Sequence, residues 1–115
     1  MTDEQITAIR ARILVDPIAR TLISRLSIRA TAPKFTRERD IGCFAIAAGV
    51  PTSRKAIRSV VLFLSEIDVA EWHQDPERRQ SRVIWKLDAR ALAMRVFGIG
   101  WTPSDAEIDA FMGSL

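Results

Sequence analysis

Two amphipathic stretches, separated by Gly49-Val50-Pro51-Thr52, constrain the fold of this chain more than any other feature of its sequence. Their apolar residues recur three and four positions apart: Phe44, Ala45 and Ala48 in the first stretch, and Ile57, Val60, Val61 and Leu64 in the second. This spacing forms one stripe along a helix, so each stretch is predicted to be a helix packed on one side. Gly49 is placed to end the first helix, because glycine adopts a left-handed backbone without strain. The sequence therefore predicts two short helices joined by a tight turn.

Two strand-like segments, 69–73 and 82–87, follow the second helix and flank a charged loop, 74–81. Pairing His73 with Arg82 places the apolar residues of both strands on one face, namely Ala70, Trp72, Val83 and Trp85. Strand residues alternate between the two faces of a sheet, so this register gives a β-hairpin with one buried face.

The remaining segments carry signals for helix starts. Thr2 and Gln5 form a capping-box pattern for a helix over 3–15, and Asp16-Pro17 begins another that extends to about Arg29. Thr36 is expected to cap the third helix, which precedes the turn. Asp88 is placed to cap a helix through about Phe97, and a last short helix is predicted from residue 104.

Composition and charge limit the class of protein. A chain of 115 residues, 48% of them hydrophobic and 27% charged, suffices for one compact globular domain. Residues 20–39 carry six basic residues and one acid, whereas residues 88–115 carry four acids and two arginines. A basic middle and an acidic end favour a polyanion on one face and self-association at another, although an ordinary solvated surface has similar totals.

The reactive residues are few. Cys43 is the only cysteine and is expected on the apolar side of its helix, which fits a reducing cytoplasm. One cysteine and one histidine on different elements do not form a metal cluster, and His73 is expected on the solvent side of its strand. The polar, acidic start and the lack of an apolar run of about 20 residues predict neither secretion nor membrane insertion. We therefore expect a cytoplasmic protein that is not an enzyme and has no cofactor or metal.

Taken in order, these elements resemble bacterial winged helix-turn-helix regulators of the MarR-like kind. The resemblance covers about residues 36–87, and the residues that carry it are Ala45, Gly49, Val50, Ile57, Val60 and Leu64. It implies that residues 53–64 form a recognition helix and that residues 74–81 form the wing. Two departures are visible: Pro51 stands where that family usually caps the recognition helix, and Asp68 stands where it often has glycine. Aspartate tolerates a left-handed backbone better than most residues.

The expected fold is mainly α with a β-hairpin wing (α+β), a winged helix-turn-helix with flanking N- and C-terminal helices. We interpret residues 1–115 as a single domain. Its parts are N-terminal helices (1–30), a helix-turn-helix (36–64), a wing hairpin (69–87) and C-terminal helices (88–115).

The second helix of a helix-turn-helix enters the major groove of DNA with its first turns. The residues that point away from the predicted core there are Lys55, Arg58, Ser59 and Leu62, with Arg54 to one side. Lys55 and Arg58 are the candidates for reading bases, and arginine favours guanine O6 and N7. Thr52 and Ser53 are expected to donate to phosphate, helped by the amides at the helix start. The alternative is an ordinary solvated helix face.

Arg78, Arg79 and Arg82 are the candidate contacts of the wing, with phosphates or with the adjacent minor groove. The alternative is that Arg78 and Arg79 only keep the loop tip soluble. The series Arg20, Arg25 and Arg29 is ambiguous in the same way, because it spreads over a wide arc of its helix.

The leading hypothesis is a sequence-specific regulator of transcription, with repression the favoured mode, that binds double-stranded DNA. It would act as a homodimer on a pseudo-palindromic site, because one module buries little DNA surface. The outer helices, 3–15 and 104–115, are the predicted dimer parts, with Ile108, Phe111 and Met112 as contacts, unless they form intramolecular core. The alternatives are an accessory DNA-binding protein for plasmid or phage replication, partition or conjugal transfer, and a protein-interaction module using Leu62 and Phe63. Whether a small-molecule effector binds stays open.

Overall fold

A computed structural model describes residues 1–77 and 80–98 of the chain. In chain order the elements are α1 (Asp3–Val15), α2 (Pro17–Ser27), β1 (Phe35–Arg37), α3 (Glu38–Ala47), α4 (Arg54–Glu66), β2 (Ala70–Asp75), β3 (Gln80–Trp85) and α5 (Ala89–Val96). The strands form one antiparallel sheet in the order β1-β3-β2. The described part is therefore α+β, as predicted. The predictions for Arg78, Arg79 and the last helix with Ile108, Phe111 and Met112 lie outside the described residues.

The helices α1, α2 and α5 pack together around the apolar core. The capping box predicted at Thr2 and Gln5 is present, and Asp16 Oδ1 accepts hydrogen bonds from the amides of Ile18 and Ala19 at the start of α2. The most completely buried large side chains of the first two helices are Ile9, Leu22 and Ile23. α2 ends at Ser27 rather than near Arg29. None of the helices in residues 1–77 and 80–98 is both long and apolar enough to cross a membrane.

The two helices predicted around Gly49 are α3 and α4. Gly49 has a φ of 72°, the left-handed conformation expected of a glycine that follows a helix. Ser53 is the N-cap of α4, and its Oγ accepts a hydrogen bond of 3.0 Å from the Ala56 amide. Val60, Val61 and Leu64 form the buried stripe of α4. The periodicity therefore placed these helices correctly.

The sheet confirms the predicted hairpin register and adds a strand that the sequence did not predict. His73 pairs with Arg82, Trp72 with Val83 and Ala70 with Trp85. The prediction that Thr36 caps α3 is wrong, since Thr36 lies in β1 and pairs with Val83. Its buried hydroxyl accepts a 3.0 Å hydrogen bond from Trp85 Nε1. The backbone ladder and this partner, 49 residues away, outweigh the local capping preference.

The expectation that Asp68 can adopt a left-handed backbone is confirmed, whereas the prediction for Cys43 is not. Asp68 has a φ of 63°, so it adopts the left-handed backbone where the related pattern has glycine. Cys43 is exposed, and its placement on the apolar side of the helix was wrong. The buried side of α3 is formed instead by Ile41, Gly42 and Ala45, because the helix turns this edge toward α2 and α4.

Candidate nucleic-acid interface

The first turns of α4 present polar and basic side chains to solvent. Arg54, Lys55 and Ser59 are exposed, and Thr52 is partly buried just before the helix. Ser53 satisfies the Ala56 amide in the first turn, where amide groups have no acceptor within the helix itself. The N-terminal end of a helix carries partial positive charge, and Arg54 and Lys55 add two full charges to it. This end of α4 is therefore suited to an anionic partner.

A cleft of about 910 Å³ lies between the starts of α3 and α4 and the hairpin of β2 and β3. Its charged lining consists of four arginines and one carboxylate, namely Arg37, Arg39, Arg54, Arg58 and Glu38. Its other lining residues are Thr52, Ser53, Ile57, Gln74, Pro76, Gln80 and Ser81. A cleft lined mainly by one sign of charge concentrates the field and attracts ions of the opposite sign. Hydroxyl and amide groups at its rim can donate hydrogen bonds to phosphate oxygens.

Arg58 differs from the other predicted contacts because it is held by the protein itself. Its Nε donates to Glu38 Oε1 at 2.9 Å, and its guanidinium lies over the Trp72 ring, with Cζ 4.6 Å from the ring centroid. Trp72 Nε1 donates to the same carboxylate oxygen at 3.0 Å. The prediction that Arg58 points away from the core is therefore only partly right, since the residue is partly buried against α3 and β2. The periodicity of α4 alone could not show these partners.

Arg82 lies on the outer face of the sheet and not at the tip of the hairpin. Its Cζ is 5.2 Å from the centroid of Phe35, and Arg37 approaches the same ring at 6.0 Å. Arg37 and Arg82 are paired across β1 and β3, which places Arg82 next to an arginine that lines the cleft. Phe35 is 42% exposed, and its ring makes cation–π contacts with both arginines.

Three arginines near this surface were not predicted as site residues. Arg37 and Arg39 line the cleft, and the basic stretch 20–39 was the signal that could have pointed to them. Arg12 comes from α1, and its Nη2 donates to Ser59 Oγ at 2.9 Å while its Nε pairs with Asp16 at 2.8 Å. No local pattern connects Arg12 with α4, because the two are 47 residues apart. Ser59 therefore reaches solvent beside an arginine from another helix.

Lys86 supports the base of the hairpin. It pairs with Asp68, and this hydrogen bond raises the pKa of the Lys86 ammonium above its ordinary value. The pair connects the end of β3 to the left-handed residue that precedes β2. Lys86 thus makes a contact that stabilises the base of the hairpin.

Metal-ligating residue types do not cluster in the part of the chain that is described. Within residues 1–77 and 80–98 there is no group of three or more His, Cys, Asp or Glu residues placed to hold a metal ion. His73 is exposed, as expected, and its Nε2 lies 3.4 Å from Glu71 Oε2. The concentration of arginine beside the start of α4 is the chemical feature that distinguishes this surface.

Family models, curated protein sequences and solved structures were each compared with the chain, and none of them matched it. The predicted contacts Thr52, Ser53, Arg54 and Arg58 all line the cleft, and Lys55 and Ser59 lie on the adjacent face of α4. Arg82 is not among the residues that line the cleft, but it pairs with Arg37, which is.

Proposed function

We propose that the chain is a winged helix-turn-helix protein that binds double-stranded DNA and represses transcription. The order of elements from α2 to β3, with the sheet order β1-β3-β2, is compatible with a winged helix. In such a fold α4 is the recognition helix and the loop between β2 and β3 is the wing. The observation that carries the proposal is the basic cleft that joins the exposed start of α4 to the hairpin.

The proposed contacts follow from side-chain chemistry. The first turns of α4 enter the major groove, which is about 12 Å wide and admits a helix. Lys55 and Arg58 read base edges, while Thr52, Ser53 and Arg54 bind phosphate at the start of the helix. Arg78, Arg79 and Arg82 contact the backbone or the minor groove beside the wing.

A homodimer on a pseudo-palindromic site doubles the contact surface of this small module. The stripe Ile6, Ile9 and Ile13 of α1 is buried within the chain, so it is not available for pairing. Leu14 and Val15 at the end of the same helix are 57% and 81% exposed. These two residues, together with residues 104–115, are the proposed dimer contacts.

The test begins with selection of bound sequences from a random DNA pool, followed by affinity measurements on the selected site. Reversing the charge of Arg54 and Lys55 to Glu removes two contacts, and at about 1.4 kcal/mol each the Kd should rise about 100-fold. The matched control reverses Arg29 and Arg95, which are also exposed but lie after the end of α2 and on α5. Because Arg95 pairs with Asp3, circular dichroism checks that the control variant is folded. Unchanged affinity in the Arg54 and Lys55 variant, or equal losses in both variants, would contradict the proposal.

A protein-interaction module is a second candidate, and one observation favours it. Leu62 is 48% exposed and lines a cavity of about 350 Å³ together with the partly buried Phe63. In that case DNA binding would be weak at physiological salt and would show no preferred sequence after selection.

An accessory role in plasmid or phage replication, partition or transfer would use the same DNA contacts, and the identity of the selected site would distinguish it from repression.

A further inference from the structure

We infer that Glu38 and Trp72 are positioning residues that hold Arg58 in the orientation that reads guanine. The inference deepens the proposed DNA binding and rests on it. It concerns which residues determine sequence preference, and it assigns a recognition role to two residues that do not reach the DNA themselves.

The three side chains form a closed set of contacts. Glu38 accepts from Arg58 Nε at 2.9 Å, from Trp72 Nε1 at 3.0 Å and, through its second oxygen, from Arg58 Nη2 over a longer 3.4 Å. The Trp72 ring covers one face of the guanidinium, with Cζ 4.6 Å from its centroid. One edge and one face of the guanidinium are therefore fixed by the protein.

Partial burial makes these contacts stronger than a surface ion pair. The Glu38 side chain is 13% exposed and that of Arg58 is 36% exposed. Exposed ion pairs contribute little because water and salt screen them, whereas a sheltered carboxylate with several donors is screened much less. Glu38 is also the first residue of α3, where the helix dipole favours a negative charge.

The fixed edge leaves the other end of the guanidinium available. An arginine has five N–H donors, and the hydrogen bonds from Nε and Nη2 to Glu38 occupy two of them. Arg58 lines both the cleft and the cavity beside Lys55 and Ser59, so it borders the two faces of α4 that carry the proposed DNA contacts. A guanidinium presented end-on matches O6 and N7 of guanine with two hydrogen bonds. Holding it in one orientation before binding reduces the entropy lost on binding.

The same contacts join the three elements that surround the cleft. Glu38 lies on α3, Arg58 on α4 and Trp72 on β2. Movement of the hairpin relative to α4 would therefore disturb the orientation of Arg58. Sequence preference and hairpin position are coupled through one arginine.

The experiment compares Glu38→Gln with Asp40→Asn, its matched control in the first turn of α3. Both changes remove one negative charge with little change in shape, so both should raise affinity for unrelated DNA by a similar factor. Only Glu38→Gln should also reduce the preference for guanine over adenine at the contacted position, by about tenfold. That position is defined as the one whose guanine preference is lost in Arg58→Lys, which keeps the charge but not the planar fork.

Trp72→Phe keeps an aromatic ring and removes the Nε1 donor, so it should reduce the same preference by a smaller factor of about three. It serves as the second test if Glu38→Gln does not fold by circular dichroism. Equal guanine preference in the wild type and in the folded variants would overturn the positioning role while leaving DNA binding intact. A wild-type chain that selects no sequence would overturn the proposed function and this inference together.

Discussion

The helical side of the molecule and the side formed by α3, α4 and the hairpin share one apolar core, and the second side adds a set of charged contacts that joins its elements. Between α1, α2 and α5 the contacts are large apolar side chains such as Ile9, Leu22 and Leu92, each with at most 1% exposure. Beside the cleft, hydrogen bonds around the charged Glu38 add to this core and join α3, α4 and β2. Apolar burial is strong and nondirectional, whereas the charged contacts fix particular orientations. The comparison predicts that stability and the proposed DNA recognition can be altered separately.

The largest expected effect is a loss of stability when a side chain of the apolar core is shortened. Leu22→Ala should lower the free energy of unfolding by about 2–5 kcal/mol, because it removes a fully buried side chain and leaves a cavity. Leu62→Ala is the matched control, since Leu62 is 48% exposed and its loss should change stability by about 0.5 kcal/mol or less. Denaturant unfolding measures both. Folded Leu22→Ala should keep the DNA affinity of the wild type, and a large loss of affinity would show that the two properties are not separable.

A smaller effect is expected from removing a helix N-cap hydrogen bond on each of the two sides of the molecule. Ser53→Ala and Thr2→Ala each remove an N-cap hydrogen bond and should each cost about 1 kcal/mol of stability. Only Ser53→Ala should also weaken DNA binding, because Ser53 lies in the cleft and Thr2 starts a helix on the other side. Thermal unfolding and gel-shift titration are the measurements. Equal loss of affinity in both variants would attribute the effect to stability and not to contact.

The smallest expected effect concerns the base of the hairpin and its pH dependence. The pKa of Lys86 is raised above 10.5, chiefly by the hydrogen bond with Asp68. A raised lysine pKa favours the folded state below pH 10.5, and that contribution is lost as the pH rises through the folded value. Asp68→Asn should return the Lys86 pKa toward its ordinary value, which NMR titration of the ammonium can follow. An unchanged pKa would show that Asp68 is not the cause.

Local patterns in the sequence predicted most of the helices and the hairpin. The capping box at Thr2 and Gln5, the glycine at 49 and the cap at Asp88 are each contained within a few residues. The hairpin register followed from alternation, because a shift by one residue would expose the apolar face. Such features depend on neighbouring residues, so they can be predicted without knowledge of the fold.

β1 was missed because a strand of three residues is too short to show a periodic pattern. It is held by pairing with β3, in which Thr36 lies opposite Val83, about 47 residues later in the chain. The threonine at its centre matched a helix cap equally well. Cys43 was misplaced for a related reason, since a stripe of small apolar residues leaves the rotation of α3 undetermined until α2 and α4 pack on it.

The sequence by itself determined the helices on either side of Gly49, the pairing of β2 with β3 and the concentration of positive charge in the middle of the chain. Only the tertiary structure decided which arginines remain available at the cleft. Arg54 stays exposed, while Arg58 is held by Glu38 and Trp72, residues 20 and 14 positions away from it. The physical reason is that charge is a property of the residue, whereas the partner of a charge depends on how distant segments pack.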